Sequence, residues 1–230
     1  MRDNFKICTS LGNIETSEVL GILNNVEMAE LRLDLLKLSN KDIEAIFSNH
    51  LCLIATCRRG AYDDAYRGKL LENAAKAGAA YIDIDIEDNG SNGWEEKMTD
   101  IAHKNNCKVI YSYHCYTHTP TLNELKQLAN SMISVGADIV KIVTKTSGHQ
   151  DNSNLLSLYS HYDNLVAIGM GCQGAITRIA APFLGAPFTF VSYDNNITTP
   201  EQIDYMEMKD ILEWLIKNEE CNGINSRVTT

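Results

Sequence analysis

Apolar and polar positions along the chain follow two alternating periods. Short runs rich in Ile, Val, Tyr, Phe and Cys predict strands at Phe5–Leu11, Met28–Leu36, Leu51–Arg58, Tyr81–Glu87, Cys107–His114, Asp138–Thr144, Leu165–Met170 and Pro187–Ser192. Segments of helical period follow each of them, at Ser17–Asn24, Lys41–Ser48, Asp63–Lys76, Gly93–Asn105, Leu122–Val135, Asn152–Tyr162, Ala175–Phe183 and Glu201–Asn218. Local chemistry marks several boundaries. Asn40 is placed to cap the second helix, Thr121 with Glu124 forms a capping box, and Gly78 and Gly136 fall where helices reverse into strands.

Eight strand-then-helix units without a linker or a break in composition predict one α/β domain over residues 1–230, a closed (β/α)8 TIM barrel, with an open doubly wound sheet as the alternative. The first strand ends in Ser10-Leu11-Gly12-Asn13, which lacks G-x-G-x-x-G and so disfavours a nicotinamide cofactor. Ile203, Met206, Ile211, Leu215 and Ile216 repeat at helical spacing, as a barrel-closing helix requires, although the same stripe would serve a subunit contact.

Composition narrows the partners. The 230 residues include 20 Lys+Arg and 30 Asp+Glu, a net charge of −10, and a uniformly acidic body is repelled by phosphate backbones and anionic lipid. A small-molecule substrate is expected, with neither nucleic acid nor membrane. The longest uncharged stretch, Ile179–Tyr193, is shorter than the roughly 20 apolar residues of a membrane span and contains two prolines. Arg2, Asp3 and Lys6 stand where a secretion signal would be apolar, which predicts a cytoplasmic location. The seven cysteines are odd in number and form no C-x-x-C pair, as expected of thiols in a core.

Barrel enzymes carry their chemistry at the carboxyl ends of strands. Those positions here hold Ser10, Glu30, Arg32, Asp34, Arg58, Asp83, Asp85, His114, Lys141, Met170 and Phe190, with Arg178 just inside a helix and Gln202 after the last strand. Lys141 stands in an apolar strand with Ile139 and Val143 on its own face, and burial of a lysine favours the neutral amine that attacks ketones. A lysine that snorkels to the edge is the plainer alternative. His114 ends the neighbouring strand, within reach of a substrate bound to that amine. Glu30, Arg32 and Asp34 fall at i, i+2 and i+4 on one strand face, inward in a barrel, and with Arg58 and Arg178 they suggest a cationic pocket for a small polyhydroxylated anion. Two other patterns are weaker. His114, Cys115 and His118 span a strand end and a loop, where residues four apart do not share a face, so no metal is expected. The glycines of Gly169-Met-Gly-Cys-Gln-Gly174 could cradle a phosphate.

Lys6-Ile-Cys-Thr-Ser10, Glu30-x-Arg32-x-Asp34, Thr56-Cys-Arg58, Ser112-Tyr-His114 with Thr119-Pro120, Ala137-Asp-Ile-Val-Lys141, Met170-Gly, Gly174-Ala-Ile-Thr-Arg178, Thr189-Phe190 and Thr199-Pro-Glu-Gln202 follow one another in an order and spacing that resembles the type I 3-dehydroquinate dehydratases. The resemblance runs the whole chain. It implies a shikimate-pathway lyase, without cofactor or metal and assembled as a homodimer, in which Lys141 forms an imine with the ring ketone of 3-dehydroquinate and His114 moves the protons. It further implies that Arg178 clamps the substrate carboxylate, that Glu30, Arg32 and Arg58 hold ring hydroxyls, that Met170 and Phe190 form apolar walls, and that Ser10, Gln202 and the backbone around Thr198 and Thr199 close over the substrate. The loop from Tyr193 to Gln202 would be the lid. Three positions depart from the family pattern. Glu-Gly-Gly, expected after Arg58, is replaced by Tyr62-Asp63-Asp64, which leaves Asp63, Asp83 and Asp85 as alternative partners for His114. Asp83-Ile-Asp85 stands for Asp-x-Glu, and Pro200-Glu-Gln202 for Pro-Gly-Gln. A class I aldolase-like Schiff-base enzyme and a non-catalytic sensor of shikimate metabolites are the competing readings.

Overall fold

Alternation along each strand turns one set of side chains inward and the other toward the helices, and this two-sided burial is what a parallel sheet wrapped in helices requires. In a computed structural model, which describes residues 5–50, 52–86, 93–194 and 202–225, the strands are β1 (Lys6–Leu11), β2 (Met28–Arg32), β3 (Leu53–Thr56), β4 (Tyr81–Asp85), β5 (Lys108–Cys115), β6 (Ile139–Lys145), β7 (Leu165–Met170) and β8 (Phe188–Val191). The helices are α1 (Thr16–Leu23), α2 (Asn40–Asn49), α3 (Asp64–Lys76), α4 (Trp94–Lys104), α5 (Leu122–Ser134), α6 (His149–Ser157), α7 (Ala175–Leu184) and α8 (Tyr205–Asn225). All pairings are parallel, in the order β7-β6-β5-β4-β3-β2-β1-β8. The result is a nearly closed TIM barrel, and β7 and β8 are the ends of the hydrogen-bonded series. No helix among the described residues is long and apolar enough to cross a membrane.

Two cores follow from the alternation. Cys8, Met28, Ile54, Ile110, Val166 and Phe188 fill the barrel interior toward the amino ends of the strands. Leu11, Leu31, Ala55, Ile82, Tyr111 and Ile142 face outward and pack under the helices. The apolar interior floor leaves polar inward positions only above it, nearer the carboxyl ends.

Several boundaries differ from the sequence expectation. The β2 run stops at Arg32, and Leu33 to Leu36 form a turn whose buried Leu33 and Leu36 had extended the apolar pattern. Ser39, not Asn40, caps α2: its hydroxyl accepts from the Asp42 amide and the Asp42 carboxylate returns to the Ser39 amide, while Asn40 is already helical. Helix α6 starts at His149, three residues before the expected Asn152, and α8 starts at Tyr205, after Asp204 accepts the Met206 amide. The predicted strand end at Glu87 and helix start at Glu201 lie outside the described residues.

The glycine run after β7 acts in packing. A Cβ on Gly174 would stand 2.4 Å from the Gly169 carbonyl, so the start of α7 approaches β7 only because both positions lack side chains. The Gly169 amide donates to the Thr177 hydroxyl and the Gly174 amide to the Gly171 carbonyl, so those two donors serve the fold and not a phosphate.

Candidate active site

Parallel register brings the polar strand ends to one level. Glu30 is paired with Ser10, Thr56 with Asp83, Asp85 with Ser112, and Ser112 with Lys141. Inward parity then aims Glu30, Thr56, Asp83, Ser112 and Lys141 at the same interior space, with His114 one inward position above Ser112.

The charged groups form a line of alternating sign. Lys141, 4% exposed, donates through Nζ to Asp83 Oδ2 at 2.9 Å and to Glu30 Oε1 at 3.5 Å. Glu30 in turn accepts from the hydroxyls of Ser10 at 2.6 Å and Thr56 at 2.8 Å. Asp83 accepts from Ser112 and from Arg58, whose nitrogens lie 3.2 Å from its two oxygens. Arg58 also reaches Asp85 Oδ2 at 3.3 Å, and Asp85 Oδ1 lies 3.1 Å from His114 Nδ1. Burying these charges singly would cost several kcal/mol each, and it is tolerated because each one faces its opposite.

Proton affinities follow from the same neighbours. Burial alone would push the Glu30 and Asp83 carboxyls up, but Lys141 and Arg58 hold both well below the usual carboxylate range. Burial likewise opposes ionisation of Asp85, and the His114 hydrogen bond with the Arg58 charge brings it down to about 2. For His114, burial and then the Arg58 cation lower the pKa below the ordinary histidine value, against the upward pull of Asp85. Burial and the Arg58 charge together shift the ring toward its neutral form.

A cleft open to solvent lies above this line. Ser10, Glu30, Arg32, Arg58, His114 and Lys141 line one side, and Met170, Arg178, Phe190 and Gln202 the other. Lys141 Nζ stands 4.0 Å from the centre of the Phe190 ring, a cation–π contact. Arg178 is buried, with Nη1 donating to the Phe190 carbonyl at 3.2 Å.

Comparison with known proteins gives this arrangement a family. The family model for type I 3-dehydroquinase matches residues 7–219. The chain belongs to the type I 3-dehydroquinase family. It is 32% identical over 203 residues to a 3-dehydroquinate dehydratase of Coxiella burnetii, covering 84% of each chain, and 32% identical over 214 residues to one of Dehalococcoides mccartyi, covering 89% of this chain and 93% of that protein. Among solved structures, the type I 3-dehydroquinate dehydratase of Clostridium difficile superposes with a TM-score of 0.81 at 21% identity, covering 94% of both chains. The 3-dehydroquinate dehydratase of Aquifex aeolicus gives 0.77 at 26% identity, covering 91% of this chain and 98% of that one.

Within this type I 3-dehydroquinase barrel, the geometry corrects two details of the sequence picture. Asp34 is not on the β2 face: it lies in the turn after Arg32 and binds that guanidinium through both oxygens, at 3.0 and 2.6 Å. With Arg58 also matched by Asp83 and Asp85, the pocket is a set of ion pairs and not simply cationic. His118 turns to Cys115 and Thr117 while His114 faces Asp85 and Arg58, so the three do not gather around a metal. Residues 195–201, which include Thr198, Thr199 and most of the expected lid, lie outside the described residues. Three contributors were missed as such: Asp83 as a partner of Lys141, Ile168 as a lining side chain, and Tyr116, whose ring stacks on His114 at 6.2 Å. The i, i+2 spacing of Tyr81, Asp83 and Asp85 held the signal for the first, whereas a loop tyrosine carries none.

Proposed function

We propose that this protein is a 3-dehydroquinate dehydratase that converts 3-dehydroquinate to 3-dehydroshikimate and water through a Schiff base on Lys141, with His114 as general acid and base. The observation that carries the reading is a buried lysine at the floor of a polar cleft, with a histidine held by Asp85 one inward position further along the adjacent strand. Family membership supports the same reaction.

In the proposed sequence the Lys141 amine, once it has given up a proton, attacks the ring ketone. A C–N bond forms and the carbonyl oxygen leaves as water, giving an imine that draws electrons from the neighbouring carbon. His114 removes a proton from that carbon, and the C–H pair becomes the enamine double bond. The enamine then collapses toward the ring, breaking the bond to the hydroxyl, which departs with the proton His114 returns to it. Water hydrolyses the imine and frees the amine. Arg178 holds the carboxylate as a planar, permanently charged donor. Glu30, Arg32, Arg58 and Ser10 hold the hydroxyls, Met170 and Phe190 exclude water, and Gln202 closes over the substrate. The reading carries with it a cytoplasmic homodimer, which light scattering on the purified protein and fractionation of cells would check.

Addition of 3-dehydroquinate to the purified protein should produce the ultraviolet absorbance of the conjugated enone product. Absence of enone from a folded, monodisperse preparation would overturn the reading.

A further inference from the structure

Of Asp63, Asp83 and Asp85, only Asp85 has a hydrogen bond with the His114 ring. Asp63 caps α3, accepting the Tyr66 amide at 2.7 Å. Asp83 is held by Lys141, Arg58 and Ser112. Asp85, the last residue of β4, places Oδ1 3.1 Å from His114 Nδ1. The opposite ring nitrogen settles the tautomer: Arg58 Nη2 lies 3.3 Å from His114 Nε2, and a guanidinium has donors only. Nε2 therefore carries the lone pair, and Nδ1–H donates to Asp85.

We propose that Asp85 is the positioning residue for His114, accepting the Nδ1 proton so that the Nε2 lone pair is the one presented for proton transfer. This rests on His114 being the proton carrier of the proposed reaction. The carboxylate expected in the loop after β3 is absent, and its work falls to a different strand. Asp85 also shares Arg58 with the ring, so a substrate that draws Arg58 onto its own hydroxyls uncovers Nε2 while Asp85 keeps the ring in place. Once the ring takes a proton, Asp85 faces an imidazolium and stabilises it. The charged and titratable groups around the ring are Arg58 after β3, Asp83 and Asp85 on β4, Tyr116 after β5 and Lys141 on β6.

The test compares Asp85→Asn, Asp85→Glu and, as control, Asp63→Asn, which keeps a good helix cap. Asp85→Asn should lower kcat by roughly 100-fold or more, in the range of a misdirected general base, with KM changed by less than about threefold. Its acid limb in kcat/KM should move to lower pH, because the carboxylate that raises the ring's proton affinity is gone. Borohydride should still trap substrate on Lys141 in this variant, Asp85→Glu should recover part of kcat, and Asp63→Asn should match the wild type. A wild-type enzyme that traps and turns over, beside an Asp85→Asn variant with unchanged kcat and an unmoved limb, would overturn the proposal alone. A wild type that neither traps nor turns over would overturn it together with the reaction it rests on. Nitrogen-15 NMR of the unmutated protein gives an answer independent of folding defects: neutral His114 should carry its proton on Nδ1, and a proton on Nε2 would refute the assignment.

Discussion

The two walls of the barrel mouth are built from the same alternating strands yet differ in kind. From β2 to β6 the inward positions at the carboxyl ends carry Glu30, Asp83, Asp85, Ser112, His114 and Lys141, joined by Arg58 into one line of ion pairs and hydrogen bonds. Across β7 and β8 the same level holds Ile168, Met170 and Phe190, with Arg178 reaching in from α7. In the proposed reaction one wall takes and returns protons, while the other excludes water and presents Arg178 to the substrate carboxylate. The charges on the first wall are held by neighbours on adjacent strands, whereas on the second apolar side chains pack around a single buried guanidinium that donates to the Phe190 carbonyl.

Substitution of Lys141 or His114 on the charged wall should act mainly on turnover, and substitution of Arg178 on the other wall mainly on binding. The largest effect is expected for Lys141→Ala, a loss of roughly four or more orders of magnitude in kcat, in line with removal of a covalent nucleophile. It should also lower the melting temperature, since Glu30 and Asp83 lose their buried counter-ion, a loss of about 3–5 kcal/mol. His114→Ala should lower kcat by roughly 10²–10⁴-fold, the scale of general acid–base catalysis, while substrate remains trappable on Lys141. The unmutated enzyme should gain activity as pH rises through the His114 pKa, because the base must be unprotonated. With that pKa lowered by burial and Arg58, the acid limb of kcat/KM should lie below the ordinary histidine value of 6.5, and a limb above it would break the electrostatic account.

On the other wall, Arg178→Gln should raise KM by roughly ten- to hundredfold, the worth of a hydrogen bond to a charged group at about 1.5–3 kcal/mol, with a smaller change in kcat. Phe190→Leu should have the smallest effect, roughly a few-fold in steady-state parameters, since it removes a cation–π contact but keeps the apolar volume. If Phe190→Leu lowered kcat as much as His114→Ala, the division between the walls would fail.

Much of this layout was legible in the sequence because barrel strands are buried on both faces, so a charged residue inside one is conspicuous. Lys141 between Ile139 and Val143 is such a case, and β6 places it as the spacing predicts. What resisted reading was long-range pairing. Burial of Lys141 could be foreseen, but not that Asp83, 58 positions away, would meet its ammonium. Asp63, Asp83 and Asp85 were equivalent candidates for His114 until strand register separated them. The extent of β2 was misjudged because a turn rich in buried leucines continues the apolar pattern of a strand, and Asp34 therefore looked like part of a face when it is the counter-ion of Arg32.

The most direct test of the central claim is to treat the protein with 3-dehydroquinate and borohydride and to locate the adduct by peptide mass spectrometry. A reduced substrate adduct on the peptide containing Lys141, absent when borohydride or substrate is omitted, is the predicted result. A protein that forms enone rapidly while Lys141 stays unmodified would contradict the account.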